Sequence, residues 1–139
     1  MNLAVTYEGW QMECCGIPFK IGDNIEWTVE KIDNDESDLL IRDKINYVEN
    51  HHPGGVDENN ISLLYGKVKS IKLVYKTFKP DKRDSIVNVP DKSMIIESTK
   101  ASKDNLDINE YEFCEFIVNI ENAKFSTLPK KDFISIFTY

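Results

Sequence analysis

The stretch that decides the fold runs from residue 9 to residue 27 and contains both tryptophans and two of the three cysteines. It reads Gly9-Trp10-Gln11-Met12-Glu13-Cys14-Cys15-Gly16-Ile17-Pro18-Phe19-Lys20-Ile21-Gly22-Asp23-Asn24-Ile25-Glu26-Trp27. In its second half, apolar and polar residues alternate on either side of Gly22-Asp23, which predicts a tight turn that leads into a strand. Successive side chains of a strand point to opposite faces, so one set of apolar residues can face a common core. That set is Phe19, Ile21, Ile25 and Trp27.

The first half of the stretch has a different character. Cys14-Cys15-Gly16 ends in a residue that tolerates unusual backbone angles, and Ile17-Pro18 then forces an extended path. We therefore expect a sharp bend at residues 14–16. Without a bend, neighbouring side chains diverge, and the two thiols would face different directions. We also expect Trp10, Phe19 and Trp27 to be substantially buried, because large aromatic side chains gain most from leaving water.

Short alternating segments dominate the rest of the chain, and helical periodicity is nearly absent. The segments with strand character are 3–8, 25–32, 67–78, 86–89, 93–97, 111–120 and 133–139. Within the longest of them, a change of apolar phase near Lys69-Ser70 predicts a bulge. Pro90-Asp91-Lys92 predicts a turn, and residues 100–109 a loop. The sequence thus predicts one mostly-β domain over residues 1–139: a small SH3-like or OB-like barrel with extensions and little helix.

Charge and length limit the classes of function. The chain has 139 residues, enough for one domain, and its 17 basic and 24 acidic residues give a formal net charge of −7. This charge disfavours nucleic acid and favours a basic protein partner, such as a toxin that the chain would neutralise.

No apolar run reaches the roughly 18 residues of a membrane span, and the first residues lack signal-peptide character. We expect a cytoplasmic protein with reduced cysteines. The last segment, 133–139, is apolar on both faces and could form a homodimer.

Four residues form a candidate metal site: Cys14, Cys15, His51 and His52. These are ligand types that zinc takes at tetrahedral sites, and the two histidines, the only ones in the chain, precede a Pro-Gly-Gly turn. Adjacent side chains diverge, so we expect one Cys and one His, completed by Glu13 or Cys114. The alternatives are a packing role at the bend and a vicinal disulfide or redox role. In each case we expect the bend at residues 14–16 to lie close to the His51-His52 loop.

The sequence offers two further candidate sites, a catalytic pair and an aromatic ligand cleft. A catalytic pair of Cys15 with His51 or His52 requires hydrogen-bond reach and an oxyanion donor, and the sequence shows neither. Four aromatic residues can line a ligand cleft or belong to the core, namely Trp10, Trp27, Tyr47 and Tyr65. No known catalytic motif is present. We therefore predict a binding or interaction module; the alternative is a metalloprotein, possibly a hydrolase, with a Cys/His metal site.

One resemblance covers roughly residues 1–80. It rests on Trp10-Gln11-Met12-Glu13-Cys14-Cys15-Gly16, Pro18-Phe19, Gly22-Asp23, Trp27, His51-His52, Gly54-Gly55 and Gly66-Lys67-Val68. On these residues the chain resembles a family of small uncharacterised bacterial proteins, a domain of unknown function. The resemblance implies a shared fold and a soluble bacterial origin, and it supplies no activity.

Overall fold

The computed structural model describes residues 2–32, 45–51 and 58–126. Within these residues the chain forms eight strands, one α-helix and a 3₁₀ turn at Glu58–Asn60. In chain order the elements are β1 (Leu3–Glu8), α1 (Gly9–Cys15), β2 (Phe19–Lys20), β3 (Asn24–Lys31), β4 (Tyr47–Glu49), β5 (Ile61–Pro80), β6 (Asn88–Ser98), β7 (Lys100–Ala101) and β8 (Glu112–Ser126). The prediction of a mostly-β protein with little helix is confirmed.

Five strands pair in a closed ring, in the order β3, β4, β1, β8, β5 and back to β3. β1 and β4 run parallel, whereas the other pairs of the ring are antiparallel. This ring is what the structure shows of the predicted barrel, and the SH3-like or OB-like assignment stays a prediction.

The longest strand, β5, changes partner along one edge within a single six-stranded sheet. Its residues 61–67 pair with β3 and close the ring, whereas residues 71–80 pair with β6, which lies outside the ring. Its opposite edge pairs with β8 from Leu63 to Lys76. The register with β8 shifts between Val68 and Ser70, which confirms the predicted bulge at Lys69-Ser70. Such a bulge bends the strand where it passes from the ring to its pairing with β6.

Inside the ring lies the main core. Its fully buried members include Val5, Met12, Val29, Leu64, Val68, Ile71, Phe116, Val118 and Ile120. An aromatic group fills one end: the ring centroid of Tyr7 lies 5.4 Å from that of Trp27 and 6.4 Å from that of Phe116. Phe19 lies 5.0 Å from Trp27, edge to face. Such geometry adds to the free energy gained by burying the rings. On the other face of β1, Ala4 packs with Ile45, Val74 and Ile117, so this strand is covered on both sides.

The prediction for the first half of residues 9–27, the stretch that decides the fold, was wrong in one respect. Residues 9–15 form a helix, and Gly16 ends it by donating its N–H to the carbonyls of Gln11 and Met12. A helix turns its side chains by about 100° per residue, which places Gln11 and Met12 inside and leaves Trp10 58% exposed. The expected burial of Trp10 is therefore wrong. Its indole N–H donates to the Glu8 carboxylate at 2.7 Å.

The second half agrees better with the sequence. The Gly22-Asp23 turn is present, with Gly22 at a φ of +94° and the Asp23 N–H donating to the carbonyl of Lys20. Phe19 is buried as expected, and Trp27 is partly buried against the core. Ile21 contradicts the prediction, because it is 42% exposed. It lies in the turn, where its N–H donates to the carbonyl of Thr99 rather than to a neighbour in a regular strand.

One smaller prediction was also wrong, and another holds only in part. Pro90-Asp91-Lys92 is not a turn: it lies inside β6, where Phe78 pairs with Pro90 and Thr77 with Lys92, so Asp91 forms a bulge. Residues 102–107 are a loop as predicted, whereas residues 100 and 101 form β7, whose Ala101 pairs with Phe19. The proposed C-terminal strand, 133–139, lies outside the described residues. In the part of the chain that the structure describes, no helix is long and apolar enough to cross a membrane.

Candidate functional site

The candidate site lies where the last turn of α1 meets the end of β4. The side-chain amide of Gln11 donates to the backbone carbonyl of Glu49 at 3.1 Å, and both residues are 2% exposed. This buried contact ties the helix to the strand. It brings Cys15, the last residue of α1, next to His51, two residues beyond the end of β4.

Cys15, His51 and Glu49 form a continuous chain of polar contacts. The sulfur of Cys15 lies 2.9 Å from Nε2 of His51, and Nδ1 of His51 lies 2.9 and 3.0 Å from the two carboxylate oxygens of Glu49. The imidazole is partly exposed, whereas the Glu49 carboxylate is almost fully buried. A thiol, an imidazole and a carboxylate are thus in the order that nucleophilic thiol catalysis uses.

Burial and neighbouring groups raise the pKa values of Glu49 and Cys15. Burial raises the pKa of Glu49 from 4.5 to about 8, and the negative charge of Glu8 adds to the effect. The pKa of the Cys15 thiol is also raised, first by its hydrogen bond to Cys14, then by desolvation and by the charges of Cys14 and Glu49, while Lys103 lowers it. The thiol therefore keeps its proton at neutral pH and needs a base to remove it.

The protonation of Glu49 decides whether Nε2 of His51, which faces the thiol, acts as a hydrogen-bond acceptor or as a donor. When Glu49 is ionised, Nδ1–H donates to the carboxylate, and Nε2 accepts the proton of the Cys15 thiol. When Glu49 is protonated, its O–H donates to Nδ1, and the imidazole proton on Nε2 points at the sulfur. Only the first arrangement makes His51 a base toward Cys15.

A cleft of about 230 Å³ opens at these residues. Its lining comprises Tyr7, Cys15, Gly16, Ile17, Glu26, Trp27, Thr28, Glu49 and His51. Gly16 is packed tightly against Tyr7, since a Cβ at this position would lie 2.6 Å from the Tyr7 hydroxyl oxygen. Burial raises the pKa of Tyr7, with further contributions from Glu49 and Cys15, so its hydroxyl remains a proton donor.

A larger cleft, about 660 Å³, lies elsewhere and is lined by residues of β5 and β6 together with Ile21 and Asn119. Size alone would favour it. Its ionisable groups are Lys72 and Glu97, and it holds no cysteine or histidine. The smaller cleft is the better candidate because it contains the thiol, the imidazole and the buried carboxylate.

The structure places the predicted metal ligands as follows. The sulfurs of Cys14 and Cys15 are 3.1 Å apart and exposed, and no disulfide links any of the three cysteines, all of which are described. The expected proximity of the residue 14–16 segment to the histidine loop is confirmed by the contact of Cys15 with His51. His52 lies outside the described residues. Over residues 2–32, 45–51 and 58–126, no group of three or more His, Cys, Asp or Glu residues is arranged to hold a metal ion.

The four aromatic cleft candidates do not gather at one place. Trp27 lines the cleft, and Tyr65 reaches its rim by donating its hydroxyl to Glu26 at 3.4 Å. Trp10 lies on the outer face of α1, and Tyr47 pairs with Phe125, with ring centroids 4.9 Å apart. A ligand-binding role for this set stays a prediction.

The sequence reasoning missed Glu49 and Tyr7. A signal for Glu49 exists, because Glu49 is two residues before His51, and residues at this spacing share a face when the chain is extended. Tyr7 gave no signal beyond its core phase in β1.

A ring of strands with a thiol, an imidazole and a carboxylate at one rim defines a mostly-β protein with a potential nucleophilic cysteine. The chain belongs to a family of unknown function: the family model described as "Family of unknown function (DUF6578)" matches residues 1–122, a range that includes the whole cleft. This confirms the resemblance to an uncharacterised family. No curated protein and no solved structure matches the chain.

Proposed function

We propose that the chain is a thiol-dependent acyl hydrolase, with Cys15 as nucleophile, His51 as general base and Glu49 as the carboxylate that orients the imidazole. One observation carries the proposal: Nε2 of His51 lies 2.9 Å from the Cys15 sulfur while Nδ1 lies 2.9 Å from Glu49. All three residues line one cleft. A cytoplasmic location, where thiols stay reduced, suits this chemistry.

The reaction follows from the order of the groups. Nε2 takes the thiol proton as the sulfur attacks the acyl carbon, and the imidazolium then gives that proton to the leaving group. Water, deprotonated by the same nitrogen, hydrolyses the resulting thioester and restores the thiol. Ionised Glu49 stabilises the imidazolium in both halves of the reaction.

Tyr7 is the candidate donor to the oxyanion. Its hydroxyl faces the same cleft and takes a hydrogen bond from the backbone of Ile17. That leaves the phenolic proton available for a negatively charged oxygen that forms on the substrate. The raised pKa of Tyr7 keeps this proton in place at neutral pH.

The cleft favours a positively charged substrate. Glu26 lines it, and Glu49 adds a second negative charge when it is ionised. A carboxylate can bind an ammonium or guanidinium group through charge-assisted hydrogen bonds. A basic acyl compound or a basic peptide is therefore the expected ligand, in keeping with the net charge of −7.

Acyl trapping tests the proposal. The full chain is mixed with 4-nitrophenyl acetate at pH 8, quenched in acid and digested for mass spectrometry. We expect an acetyl adduct on Cys15 that decays on standing, and none in Cys15→Ala. His51→Ala should acylate at least about 100-fold more slowly, whereas Cys14→Ala, the matched neighbour, should still carry the adduct on Cys15. Acylation of Cys114 at the same rate as Cys15 would contradict the proposal.

A second candidate function is a binding module for a basic protein, and the exposed apolar residues in and just after α1 favour it. Trp10 is 58% exposed and Ile17 80% exposed, at the two ends of the segment that carries the thiols. Exposed aromatic residues of this kind often contact partners. Capture from a lysate that is lost in Trp10→Ser but not in Phe78→Ser, which alters another exposed aromatic residue, would support it. Equal capture by both variants would count against it.

The zinc alternative remains separately testable. A structural zinc site is nearly filled when the protein is purified without chelator. Less than about a tenth of an equivalent of zinc, iron or copper in elemental analysis would remove it, because Cys14, Cys15, His51 and His52 would then hold no resident metal.

A further inference from the structure

The adjacent thiols are the feature that acyl hydrolysis leaves unused. The sulfurs of Cys14 and Cys15 are 3.1 Å apart at the end of α1, and both side chains are exposed. Gly16 holds this end in place, since its N–H bonds back to Gln11 and Met12. The hydrolytic steps use Cys15 and have no role for Cys14.

We propose that Cys14 and Cys15 form a hydroperoxide-reactive dithiol, in which Cys15 is oxidised first and Cys14 converts it to a vicinal disulfide. The proposal rests on the two sulfurs and on the 2.9 Å contact of Cys15 with His51. It does not depend on acyl chemistry.

The first step oxidises Cys15. Nε2 of His51 takes the thiol proton, and the thiolate attacks an oxygen of the hydroperoxide and breaks the O–O bond. Cys15 becomes a sulfenic acid, and the other oxygen leaves as an alcohol or water with the proton returned by the imidazolium. The sulfur loses two electrons, and the peroxide gains them.

The second step uses Cys14. Its sulfur attacks the sulfur of the Cys15 sulfenic acid, the S–O bond breaks, and the hydroxyl leaves as water with the proton of Cys14. The net reaction converts two thiols and one hydroperoxide into a disulfide, an alcohol and water. The sulfurs must approach by only about 1 Å, from 3.1 Å to the ~2.05 Å of a disulfide bond.

The product should be easy to reduce. Neighbouring Cα atoms lie about 3.8 Å apart across a trans peptide, which is below the usual range of about 4.4 to 6.8 Å for disulfides. Strain of this kind makes a bridge reducible by ordinary thiols. While the disulfide is present, Cys15 has no thiol proton to donate to His51. Peroxide would therefore switch off any nucleophilic activity of Cys15 reversibly, and Cys14 would protect it from irreversible oxidation.

Peroxide treatment with a sulfenic-acid trap tests the inference. The reduced full chain is treated with hydrogen peroxide in the presence of dimedone, blocked with iodoacetamide and digested for mass spectrometry. In the wild type we expect the peptide carrying residues 14 and 15 to lose two hydrogens without a dimedone adduct, and dithiothreitol should reverse the change. Cys14→Ser should instead carry dimedone on Cys15. Cys114, which is partly buried on β8, serves as the internal control and should stay reduced.

Three outcomes would overturn the inference. They are dimedone on Cys15 in the wild type to the same extent as in Cys14→Ser, a disulfide between two chains, and oxidation of Cys114 as fast as Cys15.

His51→Gln should slow disulfide formation by roughly tenfold or more, because the thiolate is the reactive form; an unchanged rate would remove His51 from the mechanism and contradict the first step. Circular dichroism of each variant confirms that it is folded. A wild type that forms the disulfide but shows no acetyl adduct would refute the hydrolase and leave this inference intact.

Discussion

At the scale of single residues, Glu49 is where burial and chemistry conflict. A base at His51 requires Glu49 to be ionised, but a carboxyl group that is 2% exposed is costly to ionise. The pKa of about 8 is the result of that conflict, with Glu8 adding negative charge nearby. The stability of the fold and the reactivity of the Cys15 thiol should therefore both depend on pH. A substitution at Glu49 should remove this contribution to the pH dependence.

The stability effect has a definite sign. The unfolded chain releases the Glu49 proton near pH 4.5, whereas the folded chain retains it until about pH 8. The stabilisation is thus fully present below pH 4.5 and is lost as the pH rises to 8, by at most about 1.4 kcal/mol per pH unit. We expect Glu49→Gln to lose less stability than the wild type between pH 5 and 8 in urea unfolding.

The control for this prediction is Glu26→Gln, which removes an exposed carboxylate from the same cleft. Its stability should follow the pH dependence of the wild type. Parallel curves for Glu49→Gln and the wild type would show that the folded protein does not hold the proton on Glu49. In that event the ionised carboxylate would be paired with a positively charged His51.

At the scale of secondary-structure elements, α1 puts on different faces two large residues that a strand would have placed on the same face. Met12 is fully buried, whereas Trp10 is 58% exposed. Met12→Ala should cost about 2 to 5 kcal/mol of unfolding free energy, because it leaves a cavity in the core. Trp10→Ala should change it by no more than about 0.5 kcal/mol, as most surface substitutions do. Urea unfolding of both variants measures the difference, and a larger loss for Trp10→Ala would contradict the helix.

The sequence could not reveal this helix. α1 has seven residues, its N-cap Glu8 makes no capping hydrogen bond through its side chain, and its first turn contains no acidic residue. The usual signals of a helix start are therefore missing. The burial of Trp10 was misjudged because the side chains of a strand alternate between two faces, whereas those of a helix turn by about 100° per residue. The same residue can therefore face the core in one structure and the solvent in the other. In contrast, the turn at Gly22-Asp23 and the bulge at Lys69-Ser70 depend on local chemistry and were predicted correctly.

The candidate site was predictable only in part for a related reason. The contact of Cys15 with His51 joins residues 36 apart in sequence, and the one between Gln11 and Glu49 joins residues 38 apart. Residue types pointed to the thiols and to His51, but no local pattern specifies which distant strand ends beside α1. That is decided by the parallel pairing of β1 with β4, which the periodicity of either strand leaves open.

At the scale of the whole molecule, β5 joins β6 to the ring. Gly66 lies in the ring half of β5, and a Cβ there would lie 2.3 Å from Cγ2 of Ile120 on β8. Gly66→Ala should lower the unfolding free energy by about 1 to 3 kcal/mol through overpacking. Because one strand pairs both within the ring and with β6, tryptophan fluorescence and far-ultraviolet circular dichroism should still report one transition.

Lys69→Ala is the matched control, since Lys69 is exposed on the same strand. It should leave the midpoint within experimental error of the wild type. Two separate transitions in Gly66→Ala would show that the ring and the pairing of β5 with β6 unfold independently, and the prediction of one domain over residues 1–139 would then fail.

Closure of the ring also determines where this protein is vulnerable to self-assembly into fibrils. Within the described part of the main sheet, β6 is the end strand and has one edge that pairs with no other strand. An open edge next to exposed Ile95 and Ile96 can recruit the same edge of another molecule. The bulge at Pro90-Asp91, with Asp91 paired to Lys79 at 3.2 Å, interrupts that edge with a residue lacking an N–H and with a charge. Replacing Pro90 and Asp91 by Val and Thr should therefore increase thioflavin-positive aggregation on agitation, whereas the same pair of changes at the exposed Pro18 and Glu13 should not.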